Sequence, residues 1–140
     1  TAFGPVVNLA ARLETMTKVI GASILIDEVT ATALGDRTNL QETMRFRQVG
    51  QVQPFGLETN LLITELLPPL AESGAVPPEN IDAYEQAWQQ FQAGNWPTAL
   101  QALDQVPDSD PVKPWLQQYL RVHGPEAPQG WNGTIVMTHK

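Results

Sequence analysis

The stretch PPLAESGAVPPEN, residues 68–80, carries four prolines and no apolar period. Proline lacks the backbone N–H that a helix interior or a central strand requires, so neither element runs through it. The chain is therefore read as two runs joined by a linker: 1–67, then 68–80, then 81–140. Their apolar spacing differs. The first run alternates between helical and strand periods, and the second is helical almost to its end.

In the first run, GPVVNLAARLETMTKVIG predicts a helix opened by Gly4 and Pro5 and closed by Gly21. Val6, Leu9, Ala10, Leu13, Thr17 and Ile20 follow helical spacing and predict one buried stripe. Asn8 and Arg12 lie one turn apart on a different face. ASILID at 22–27 reads as a strand, after which Asp27 caps a short helix, Glu28–Leu34, that stops at Gly35. Residues 36–43 are polar and loop-like. Met44–Gln53 alternates roughly, with Gly50 marking a bulge, and Pro54-Phe55-Gly56 breaks it. Leu61–Leu67 is a further strand, and these last two form a hairpin. Arg45 and Arg47 read as exposed, solvated strand residues.

In the second run, Ile81, Tyr84, Trp88 and Phe91 make an amphipathic helix that ends at Gly94. Pro97 opens another, with Leu100, Leu103 and Val106 as its stripe. A third covers roughly 111–123, with Trp115, Leu116, Tyr119 and Leu120 on its apolar side. Residues 131–140 read as a short strand or an extended arm. The Gly94…Ala99…Pro107 spacing resembles one tetratricopeptide-like hairpin. A single unit cannot bury both faces as an array does, so a helical extension packed on its own domain is the alternative.

Composition removes several classes of function. The chain has no cysteine, which excludes disulfides and Cys-based metal sites and suits a reducing, cytoplasmic setting. No apolar run is long enough to span a membrane. The net charge is −7, concentrated in residues 69–140, and there is no basic stripe, so nucleic acid is a poor partner. His123 and His139 have no partner pattern and read as surface residues. The sequon at Asn132-Gly133-Thr134 is read as accidental. The chain starts at Thr1 without an initiator Met, and we read it as a piece of a longer protein that ends naturally at Lys140.

Residues 1–67 resemble the C-terminal half of a class III nucleotidyl cyclase catalytic domain. The resemblance is carried by TAFGPVVNLAARLE, the ILIDE strand–turn, and RFRQVGQVQPFG…LLITELL. Gly4, the Val7-Asn8 pair and Arg12 match that family's motif. Trp131, Gly133 and Lys140 resemble the W-x-G…K tail of some bacterial cyclases. The fold implied is α+β: the C-terminal part of a cyclase-type ferredoxin-like α/β sandwich, followed by an α-helical, tetratricopeptide-like extension.

The reaction implied is attack of a nucleoside triphosphate's 3′-hydroxyl on its own α-phosphate, with loss of pyrophosphate. By the resemblance, Arg12 is the transition-state cation, a permanently charged planar fork suited to phosphoryl oxygens. Asn8 orients the ribose, and the helix N-terminus favours phosphate. Thr1 occupies the purine-reading position, which favours ATP over GTP. Phe55 stands where many members carry a triphosphate-binding lysine; Arg45 and Arg47 on the preceding strand are the cations that could stand in for it, against their plainer reading as solvated residues. The family's two metal-holding aspartates, for Mg²⁺ or Mn²⁺, belong to its N-terminal half, and Asp27, Asp36 and Asp82 do not sit in matching contexts. The expected assembly is a head-to-tail homodimer in which this chain supplies the Asn/Arg side, so alone it is expected to be inactive. The plainer readings are a structural amide at Asn8, an acid-paired Arg12, a strand-end Thr1, and a degenerate cyclase domain whose acidic helical half binds a protein partner.

Overall fold

The computed structural model describes residues 4–35, 44–69, 71–72 and 75–137, without the side chains of 4–8. Thr1, Asp36, His139 and Lys140 lie outside the described residues. The elements are α1 (Gly4–Ile20), β1 (Leu25–Asp27), α2 (Glu28–Gly35), β2 (Arg45–Gln53), β3 (Leu61–Leu67), α3 (Pro78–Gln92), α4 (Trp96–Leu103), α5 (Lys113–His123) and β4 (Thr134–Val136). The fold is α+β, with five helices and an open, mixed four-strand sheet among the described residues. The strand order is β1-β3-β2-β4. β3 pairs antiparallel with both β1 and β2, and β4 runs parallel to β2. No helix among the described residues is long and apolar enough to cross a membrane.

Local signals account for most of the element ends. α1 stops at Gly21, whose φ is +92°. Its N–H donates to the Thr17 carbonyl at 2.8 Å. A β-carbon there would stand 2.2 Å from the Pro111 carbonyl oxygen, so both the left-handed backbone and the close approach require glycine. Asp27 caps α2 by accepting the Thr30 N–H at 2.8 Å. The bulge falls between Gln48 and Gly50, leaving Val49 out of the ladder with β3. Its carbonyl instead accepts the Tyr84 hydroxyl of α3 at 2.8 Å. The irregularity thus ties the sheet to a helix.

α1 does not bury the whole predicted stripe. Met16 and Ile20 enter the core, while Ala10 is exposed and Leu9, Leu13 and Thr17 are half-buried. The helix changes neighbours along its length. Its last turns meet the core. Its earlier turns border an open groove of about 410 Å³ lined by Leu9, Leu13, Thr17, Ile24 and Ile26.

α3 packs onto β2, α5 brings Trp115 against Gly50 of the same strand, and α4 packs against α3 and α5. One contiguous core joins Met16 and Ile20 to Val49, Val52, Ile63, Tyr84, Phe91, Leu116 and Ile135. Phe91 stacks on Trp96 at 5.3 Å and meets Trp131 edge-on at 5.0 Å. These contacts fasten the segment after α5 to the helical layer. Inside the turn before α5, buried Lys113 donates to the Val106 carbonyl at 2.7 Å and to Asp108 at 2.8 Å. That ammonium holds the Asp108 carboxyl below its ordinary range.

The two strand arginines are not free solvated residues, which corrects the reading from alternation alone: Arg45 is half-buried against the linker and Arg47 is buried beneath the helical layer. Arg45 donates to the backbone carbonyls of Pro68, at 3.0 Å, and Val76. Arg47 is wholly buried. It pairs with Glu65 across the hairpin at 2.6 Å and with Asp110 from the α4–α5 connection at 2.6 Å. The Tyr84 ring lies under its guanidinium, 5.0 Å from the centroid. Burial opposes the charge on Arg47, but hydrogen bonding and attraction from Asp110 and Glu65 outweigh it and hold its pKa above the ordinary value.

Candidate functional site

α1 brings Arg12 to the turn between β2 and β3. Its Nη1 donates to the Phe55 carbonyl. Gly56 lies directly beneath the guanidinium with φ +80°, and a β-carbon there would stand 3.2 Å from Nη2. The turn has its own closure: Leu57 N–H donates to the Pro54 carbonyl at 3.0 Å, and Gln53 Nε2 donates to the Leu57 carbonyl at 2.8 Å. Pro54 is buried and anchors the turn, while Phe55 is 41% exposed.

Two positions singled out in the sequence, Arg12 and Phe55, therefore meet. Asn8 belongs to the same continuous helix, one turn before Arg12, and its side chain is outside the described set. Arg12 has no ion pair among the described residues. Its guanidinium is half-buried and carries more donors than the one given to Phe55, so it retains capacity for an anion. The open groove beside α1 does not include Arg12 or Phe55 in its walls.

The described residues do not fit a divalent metal. They contain no group of three His, Asp or Glu side chains able to hold one. Asp27 is committed to capping α2, and Asp82 is exposed on α3. What the arrangement offers is one fixed cation, at the rim of a glycine turn, with a helix behind it.

Residue patterns alone do not single out Gln53 and Gly56, which hold the turn under Arg12. The PFG triplet marks the turn, but nothing local announces that an arginine rests on it. Comparisons with protein-family models, with curated proteins and with solved structures find no match.

Proposed function

We propose that this chain supplies the nucleotide-facing Asn/Arg side of a class III nucleotidyl cyclase, converting ATP to cyclic AMP and pyrophosphate. The observation that carries the reading is the meeting of Arg12 with the Phe55-Gly56 turn. In the family resembled, the corresponding helix arginine and turn lysine both serve the triphosphate. In that role Arg12 faces the phosphoryl oxygens on which charge builds as the 3′-hydroxyl attacks. Asn8, one turn earlier, orients the ribose, and Thr1 reads the purine. The sheet and its first two helices would be the C-terminal part of a ferredoxin-like sandwich, and α3 and α4 a tetratricopeptide-like hairpin. Mg²⁺ or Mn²⁺ would be held by aspartates of the catalytic domain's N-terminal half, upstream of this sequence, on the opposite protomer of a head-to-tail dimer.

A second reading is favoured by one observation. Phe55 puts a phenyl ring where the family has a lysine, and a phenyl ring cannot neutralise phosphate. On that reading the cyclase-type domain is degenerate and the acidic helical half recruits a protein.

The test is cyclisation by the full-length protein with Mn²⁺, offered ATP and GTP separately, beside Arg12→Ala. Cyclic AMP formation that Arg12→Ala lowers by about 10²-fold or more supports the first reading. No product from a folded, dimeric protein supports the second.

A further inference from the structure

The turn that receives Arg12 is also held by the far end of the chain. β4 lies along β2 with Thr134 beside Gln51, Ile135 beside Val52 and Val136 beside Gln53. The Met137 N–H donates to the Gln53 carbonyl at 2.9 Å, immediately before Pro54. The ladder between β2 and β3 ends at Val52 and Leu61, so Gln53 takes its strand partner from β4. The Gln53 side chain then closes the turn onto Leu57 at 2.8 Å. One residue thus joins the tail to the turn, and the turn presents its Phe55 carbonyl to Arg12.

Specific groups guide the tail to this place. Trp131 Nε1 donates to the Phe91 carbonyl at 2.9 Å. Gly133, with φ +86°, redirects the backbone into β4. Gln92 donates to the Gln51 side chain, which donates in turn to the Thr134 hydroxyl, each at 3.0 Å. Ile135 is buried and Val136 is exposed. Yet β4 has only three residues. Its one sheet neighbour among the described residues is β2, so it can be removed while the β1-β3-β2 ladder stays paired.

We infer that residues 134–137 form a positioning strand for Arg12. When docked, they extend the order of the sheet into the 54–57 turn and fix the carbonyl that aims the guanidinium. When released, the turn and Arg12 lose that shared position. Fixing Arg12 beforehand lowers the ordering cost of taking a triphosphate. That consequence rests on the function proposed above, whereas the mechanical coupling does not.

Two variants test this: a chain ending after Gly133, and Met137→Pro, which removes the N–H given to Gln53. Three properties are read: hydrogen exchange at the Leu57 amide, the NMR signals of the Arg12 guanidinium, and affinity for ATP, with exchange in α3 reporting that the fold persists. The expected result is exchange at Leu57 about tenfold faster and ATP binding about three- to tenfold weaker. In an Arg12→Ala background the loss of affinity should vanish, because the tail acts through Arg12. Unchanged Leu57 and Arg12 signatures in the folded variants overturn the inference. An equal loss of affinity without Arg12 also overturns it. If the truncated chain loses protection in α3, Met137→Pro decides. A full-length, dimeric wild-type protein that does not bind ATP overturns the proposed function, while the exchange data still judge the coupling.

Discussion

The Arg12 guanidinium lies across Gly56, so that a β-carbon on Gly56 would stand 3.2 Å from Nη2 and 3.4 Å from Nη1. Glycine is favoured here by its backbone conformation, and a β-carbon would also make the guanidinium yield by a few tenths of an ångström. The prediction is that Gly56→Ala costs about 1–2 kcal/mol from the left-handed backbone alone. It should also push the guanidinium off the Phe55 carbonyl. Denaturant unfolding measures the first effect and the Arg12 NMR signal the second. Wild-type stability together with an unmoved Arg12 signal would refute it.

Phe55 is exposed beside the one guanidinium that the turn collects. Replacing it with lysine adds a mobile cation without disturbing a buried side chain. Phe55→Lys should therefore tighten ATP binding by about tenfold, the scale of one added charge-assisted hydrogen bond. The effect should shrink as salt rises. Titration calorimetry at two ionic strengths measures both. An unaltered affinity would mean that the triphosphate does not pass over this turn.

Elements whose causes are local were legible in the sequence. Leu61–Leu67 spans β3 as expected, Asp27 caps α2, and Gly50 marks the bulge. The first strand is shorter than ASILID suggests: it spans Leu25–Asp27, with one further hydrogen bond from the Leu66 N–H to the Ile24 carbonyl. The buried face of α1 departs from the periodic stripe at Ala10, which is exposed, and at Met16, which is buried outside it, because periodicity reports a helix face but not which part of it has a partner. The partner of the tail strand was equally hidden. A three-residue run carries no signal of which edge it joins.

Nothing in the spacing of VNLAAR says that Arg12 reaches Phe55; that contact comes from how α1 packs beside the β2–β3 turn, and no local pattern encodes it. Arg47 shows how far a local reading extends. Hairpin register places Glu65 opposite it. Asp110 comes from 63 positions away, and no local period announces it.

That buried triad yields an ordering of stabilities. Arg47 is shared by two carboxylates with almost no exposure. Arg47→Met leaves both acids buried without a counter-ion, at a predicted cost of about 3–5 kcal/mol. Asp110→Asn leaves a neutral Arg47–Glu65 pair. The amide oxygen can also still accept the Val112 N–H that Asp110 now receives at 2.9 Å. Its predicted cost is about 1–2 kcal/mol. Urea unfolding of the two variants measures the difference, and an Asp110→Asn loss equal to that of Arg47→Met would contradict the account.

Tyr84 sets an alkaline limit. Burial pushes its hydroxyl well above the ordinary tyrosine pKa, outweighing the opposing pull of Arg47. Above about pH 10 the unfolded chain therefore loses this proton while the folded chain keeps it. The unfolded state then binds fewer protons, so stability falls as pH rises, by about 1.4 kcal/mol per pH unit for this group. The contribution is fully present below pH 10 and is lost progressively as pH climbs toward the folded value. Burial also raises Tyr119, which is half-exposed and adds a smaller effect of the same sign. Tyr84→Phe has no such proton to lose. It should cost about 1–2 kcal/mol at neutral pH, because the Val49 carbonyl loses its donor. Its stability should then decline less steeply than wild type between pH 9 and 11. Denaturant unfolding across that range decides the point: parallel curves would mean that Tyr84 ionises in the folded protein as readily as in the unfolded chain.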